Sequence, residues 1–192
     1  MIKNDKKRCF GNKIGQETYA LYHDTEWGIP VYDDTKLFEM LILEGAQAGL
    51  TWETILKRRD GYRKAFYDFY PQKVAVMKDS ELELLRDNQN IIRNRLKIYS
   101  TRQNAIIFLE IQKEFVSFSA YIWSYVGGNP IMNSWSKFAD VPTSTKESDD
   151  ISKDLKKRGM KFVGSVIMYA YMQAVGMVND HLTDCWCYKK DN

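Results

Sequence analysis

The chain has only two histidines, and each stands near a cysteine at opposite ends of the sequence. His23 lies fourteen positions after Cys9, and His181 lies four positions before Cys185. Two thiolates and two neutral imidazoles make a full tetrahedral set for zinc. Residues four apart share one helix face or flank one turn, so His181 and Cys185 can reach a single ion. An ion held by all four would tie the two ends of the chain together. With no open coordination position it would be structural rather than catalytic. Ordinary buried thiols fit the same pattern, because the gap between Cys9 and His23 is not diagnostic. Cys187, six positions after His181, is a weaker rival to Cys185.

Composition narrows the setting. The 192 residues are 44% hydrophobic, enough for one domain over residues 1–192, or two small helical lobes around a shared cleft. Three cysteines do not make a disulfide framework and suit a reducing compartment. Met1 to Arg8 is polar and basic, and no run of about 18 apolar residues follows. A cytoplasmic protein without membrane contact is expected, and nothing in the chain suggests an assembly larger than a monomer. A net charge of +3 is too small to attract nucleic acid in bulk, so any such contact needs a local patch.

Apolar residues recur with helical spacing nearly throughout, and no clean alternation or Asn-Gly hairpin marks a strand. The pattern predicts an all-α fold. Asp33 or Asp34 caps a helix through Glu44, which Gly45 and Gly49 interrupt. Thr51 caps a second helix running through Ile55, Tyr62 and Phe66. Further helices are expected from Asp79, from Ile91 to about Gln112, and from Ser117 to Val126. Ser148 caps one that ends at Gly159, and another runs from Gly164 or Ser165 to Gly176.

Leu37, Leu41, Glu44 and Ala48 fall on one stripe of the first of these helices. A carboxylate on an apolar stripe is costly unless it is paired or used. Tyr19, Tyr22 and Trp52 flank this helix on either side in the sequence, in a chain that is 14% aromatic. A carboxylate beside an aromatic wall can hold a flat, electron-poor ring, by stacking and by accepting its hydrogen bonds. A structural glutamate bonded to an arginine or a helix end is the plainer alternative.

From Lys153 to Lys161 the chain carries five positive residues and one negative. Gly159 can end one helix in a left-handed conformation, and Gly164 opens the next. The free N–H groups of such a helix start suit phosphate. A glycine-bracketed hairpin between helices, with basic flanks, resembles the helix-hairpin-helix motif that grips the DNA backbone. An ordinary turn after a lysine-rich surface helix fits the same residues.

Taken together, these stretches resemble the bacterial 3-methyladenine DNA glycosylase I family. The matching segments are Tyr22 to Pro30, Leu37 to Trp52, Ile91 to Asn94, Val141 to Thr145, Lys156 to Gly164, and Gly176 to His181. They keep the family's order from Cys9 to Cys185. Departures are confined to the start of the chain, where Phe10-Gly11 replaces a usual tryptophan and the Cys9–His23 loop is longer. The resemblance implies an all-α helix-hairpin-helix glycosylase fold, with structural zinc on Cys9, His23, His181 and Cys185. It implies Glu44 as the acidic residue of the base pocket, Trp52 as the stacking aromatic, and Tyr19 and Tyr22 as pocket walls. It places Gly159, Lys161, Phe162, Val163, Gly164 and Ser165 on the DNA backbone, with Leu50 filling the gap left by an extruded base. The implied partner is double-stranded DNA containing alkylated adenine, and the implied reaction is hydrolytic release of 3-methyladenine. Asp180 is a poor candidate for orienting the water, since it adjoins a zinc ligand. A non-catalytic zinc-stabilised helix-hairpin-helix DNA-binding protein, or a zinc hydrolase with an open metal position, are the rival readings.

Overall fold

The computed structural model describes residues 6–188. Its helices, in chain order, are α1 (Glu17–Thr25), α2 (Asp34–Gln47), α3 (Trp52–Leu56), α4 (Arg59–Ala65), α5 (Pro71–Val74), α6 (Asp79–Leu84), α7 (Arg95–Phe115), α8 (Phe118–Ser124), α9 (Lys146–Lys157) and α10 (Ser165–Ala174). The expected helical architecture is present in its coarse form. One parallel pairing interrupts it, between β1 (Ile131–Met132) and β2 (Val178–Asn179). At two residues a strand, no sequence alternation could announce it.

The centre of the fold is α2, every residue of which from Leu37 to Ala46 is buried. A helix apolar nearly all round belongs inside a core. It packs against α3, α7, α8 and α10. Asp33 caps it by accepting from Lys36 N–H at 2.8 Å. Asp34 has a different task. Its carboxylate accepts from Phe118 N–H at 2.8 Å and Ser119 N–H at 2.7 Å, and so caps α8.

Several helix boundaries differ from expectation, each for a local reason. Gly45 does not break α2. A Cβ there would lie 3.1 Å from Cβ of Phe162, so the glycine lets the α9–α10 connection pack against the helix. The helix expected from Thr51 to Phe66 is two, because Arg58 turns out of helical geometry (φ −106°, ψ 0°). That turn sends Arg59 inward to Glu26 and Glu39 at 2.8 Å. Helix α7 starts at Arg95 rather than Ile91, with Asn94 as its cap. Helix α9 starts at Lys146, and Ser148 is its third residue, bonding back to Thr145 N–H at 2.9 Å. Helix α10 stops at Ala174, short of Gly176. Helix α1 has no expected counterpart. Its N-cap, Gln16, makes no side-chain capping bond, so the usual start signal is missing.

The α9–α10 connection is a tight hairpin. Gly159 (φ +103°) follows α9, with Gly159 N–H on Lys156 O at 3.0 Å and Met160 N–H on Leu155 O at 2.9 Å. This pair of bonds with a left-handed residue is the common glycine-terminated helix end. No helix among the described residues is long and apolar enough to cross a membrane.

Candidate functional site

Four elements converge on a cavity of about 140 Å³. Tyr19 and Tyr22 come from α1, Glu44 and Gln47 from α2, Trp52 from the start of α3, and Ala170 and Gln173 from α10. In three of these elements the lining residues are three apart, which places them on one helix face. Phe10, Trp27 and Phe138 complete the lining. One water needs only about 10–15 Å³, so the space is large enough for a ring-sized guest. Thr51 caps α3, its hydroxyl accepting from Thr54 N–H at 3.3 Å, and so sets the orientation of Trp52.

The walls are aromatic. Phe10 stacks on Tyr19 with centroids 4.5 Å apart, and Tyr22 meets Trp52 at 5.5 Å. Phe10 therefore supplies a further ring to this wall. Glu44 is buried, and burial alone pushes its pKa up to about 8. No ion pair or hydrogen bond offsets that cost among the described residues. Glu39, five positions earlier on α2, shows what pairing does. Its desolvation is outweighed by Arg59, Lys36 and Arg63, and its pKa falls to about 2. One helix thus carries a structural carboxylate and an unpaired one. The Trp52 indole N–H is also buried without a partner among the described residues.

The second cluster joins Cys9, His23, His181 and Cys185, whose ligand atoms all lie within 4.8 Å of one another. Cys185 Sγ is 3.4 Å from His23 Nε2 and 3.5 Å from His181 Nδ1, and Cys9 Sγ is 3.6 Å from His181 Nδ1. Zinc bonds of about 2.3 Å to sulfur and 2.05 Å to nitrogen, at tetrahedral angles, put the two atoms about 3.6 Å apart. The surroundings aim the rings correctly. His23 Nδ1 is bonded to Asp24 at 2.9 Å, and His181 Nε2 to Trp27 O at 3.1 Å, which turns the other nitrogen of each toward the two sulfurs, with Cys9 N–H also donating to His23 Nε2 at 3.2 Å. Leu182 N–H donates to Cys9 Sγ at 3.3 Å and Cys187 N–H to Cys185 Sγ at 3.4 Å. Cys187 Sγ lies 4.0 Å from the Nδ1 side of His23, outside the four-residue group.

Leu50 is 40% exposed in the loop between α2 and α3, next to cavity residues Gln47 and Trp52. In the hairpin, Lys161 is exposed, and Gly159, Phe162, Gly164 and Ser165 are partly so. The Val163 side chain is buried in the core, so only its main chain can face a ligand. The basic flank is smaller than its composition suggests, since Arg158 is held by Asp154 at 2.8 Å and Glu114 at 2.6 Å. Asp180 is buried and accepts from Asn133, Trp135, Tyr169 and Gln173, each at 2.7 Å. Four donors leave it no lone pair for a water.

Sequence reasoning missed Phe10, Trp27, Gln47, Phe138 and Gln173. Gln47 had a usable signal, three positions from Glu44 on the same helix. Phe138 had none, because it reaches the cavity from a single 3-10 turn, Phe138–Asp140, too short to leave a periodic pattern.

The methyladenine glycosylase family model matches residues 12–188, starting just after Cys9. The DNA-3-methyladenine glycosylase 1 of Escherichia coli K12 is 48% identical over 170 residues, covering 88% of this chain and 91% of that protein. A crystal structure of 3-methyladenine DNA glycosylase I superposes with a TM-score of 0.92 at 45% identity, covering 95% of this chain and 100% of the other. The Staphylococcus aureus enzyme, solved to explain its recognition of 3-methyladenine, superposes with a TM-score of 0.92 at 38% identity, over 96% of this chain and 98% of that one. The chain belongs to the methyladenine glycosylase family.

Proposed function

We propose that this protein is a monofunctional base-excision repair glycosylase that releases 3-methyladenine from alkylated double-stranded DNA and leaves an abasic site. The observation that carries this reading is the unpaired carboxylate of Glu44, buried in an aromatic cavity with Trp52. A binding-only protein with the same hairpin has no use for so costly a group.

Alkylation at N3 makes the adenine cationic and weakens its bond to the sugar. The base leaves neutral as the C1′–N9 bond breaks and water adds at C1′, so little acid catalysis is needed. The protein's work is to extrude the nucleotide and hold the base. Glu44, once ionised, accepts hydrogen bonds from the base and favours its positive charge. Trp52 stacks on it, and Tyr19 and Tyr22 wall the pocket. Leu50 fills the space left in the duplex. The helix-hairpin-helix from Gly159 to Ser165 anchors the DNA backbone through its main chain and Lys161.

Cys9, His23, His181 and Cys185 would hold a structural zinc, supported by their spacing and by the bonds that orient both rings. A closed four-ligand site supplies no reaction chemistry and disfavours the zinc-hydrolase reading. The chain would act as one domain, with helical lobes around the base cleft, as a cytoplasmic monomer whose thiols stay reduced.

The test is incubation of purified protein with methylated duplex DNA and chromatography of the released bases. Free 3-methyladenine with a matching count of abasic sites is expected. DNA binding with no released base would select the non-catalytic reading.

A further inference from the structure

Helix α7 touches both elements assigned to the DNA. The Lys97 ammonium donates to Ala46 O at 2.8 Å and Ala48 O at 2.7 Å, the carbonyls at the end of α2 just before the Leu50 loop. Two turns further along, Asn104 pairs with the hairpin. Its amide donates to Lys161 O at 2.9 Å and accepts from Lys161 N–H at 2.9 Å. Between these contacts Gly45 backs onto Phe162, whose ring lies 5.9 Å from the Lys97 ammonium. The three elements meet around a space of only about 10 Å³. Lys97 has no carboxylate partner among the described residues, and burial lowers its pKa. Water could satisfy a helix end at less cost than a half-buried cation. A lysine here makes sense if the exact place of that helix end matters.

We propose that Lys97 is a positioning residue for base extrusion. By holding the carbonyls of Ala46 and Ala48 against α7, it sets the distance between Leu50 and the hairpin, so both engage one duplex at once. This rests on the glycosylase reading above and adds to it a residue that touches neither base nor sugar.

The experiment compares wild type, Lys97→Met and Lys97→Arg in three measurements. They are single-turnover release of 3-methyladenine from a methylated duplex, release from the same strand alone, and affinity for free 3-methyladenine by tryptophan fluorescence. Misplacement by about an ångström costs up to about a hundredfold in rate, so Lys97→Met should slow duplex release by about tenfold or more. Free-base affinity should stay within about twofold, and single-strand release, where no gap must be filled, within about threefold. Lys97→Arg, which can still donate to both carbonyls, should recover most of the duplex rate. If Lys97→Met does not fold, Lys97→Gln carries the same comparison. Equal losses on duplex and single strand, or an unchanged duplex rate, would overturn the proposal. No release by the wild type from either substrate would instead overturn the glycosylase reading, and the proposal with it.

Discussion

Glu44 and Trp52 line one cavity, and neither the carboxylate nor the indole N–H has a hydrogen-bond partner among the described residues. Two buried polar groups left open side by side cost the folded protein stability. A guest that bonds to the carboxylate recovers part of that cost on binding. The cost of burying these two groups and the affinity for a guest that bonds to them are therefore linked.

The pH dependence follows from Glu44. Its folded pKa is raised to about 8, while the unfolded chain loses the same proton near the usual value of about 4.3. Between these values the folded state binds more protons. Its protonation stabilises the fold below about pH 4, and that contribution is lost as pH rises through about 8. Thermal melts across this window should show a decline in Tm that is shallower in Glu44→Gln. Base release should show the opposite trend, with kcat/KM climbing as Glu44 ionises toward about pH 8. A wild-type profile as flat as that of Glu44→Gln would show that Glu44 does not titrate in the free enzyme.

Trp52→Ala should weaken binding of free 3-methyladenine by about 1–3 kcal/mol, the usual worth of a base–aromatic stack. Trp52→Phe should retain most of the affinity. Fluorescence or calorimetric titration measures both, and equal affinities for all three proteins would move the base elsewhere.

Elemental analysis should find one zinc per chain. Cys185→Ser should lose the metal and lower Tm by roughly 10 °C or more, because metal affinity is part of the folding free energy. Cys187→Ser should keep both metal and stability. Loss of zinc from Cys187→Ser alone would exchange the two cysteines.

Asp180 accepts from four donors on two segments, the loop of Asn133 and Trp135 and the helix α10 of Tyr169 and Gln173, which is the work of a cross-link. Asp180→Asn turns part of that acceptor into a donor and should cost about 1–3 kcal/mol of stability. The rate per folded molecule, measured by single turnover at low temperature, should change by less than about tenfold. A loss of several orders of magnitude in a folded variant would restore Asp180 as the water-orienting acid.

What could be read from the chain was local. Glu44 shows itself because helical spacing puts a carboxylate on an apolar stripe. The hairpin shows itself because glycines bracket a basic turn. The histidine–cysteine pairs show themselves by rarity. The rest depends on contacts between distant residues. Gly45 looks like a helix breaker until Phe162 is seen against it. Glu39 sits on the same helix as Glu44, and only the turn at Arg58 reveals that it is paired. Lys97 and Asn104 read as ordinary helix residues, since their partners lie 51 and 57 positions away. Phe138 carries no periodic signal at all.

The most direct test of the base pocket is single-turnover release of 3-methyladenine from methylated duplex DNA, wild type against Glu44→Gln, with zinc content and Tm matched. The account predicts rapid release by the wild type and a loss of about a hundredfold in Glu44→Gln, the usual scale for one electrostatic contact to developing charge. Equal rates in the two proteins would contradict it.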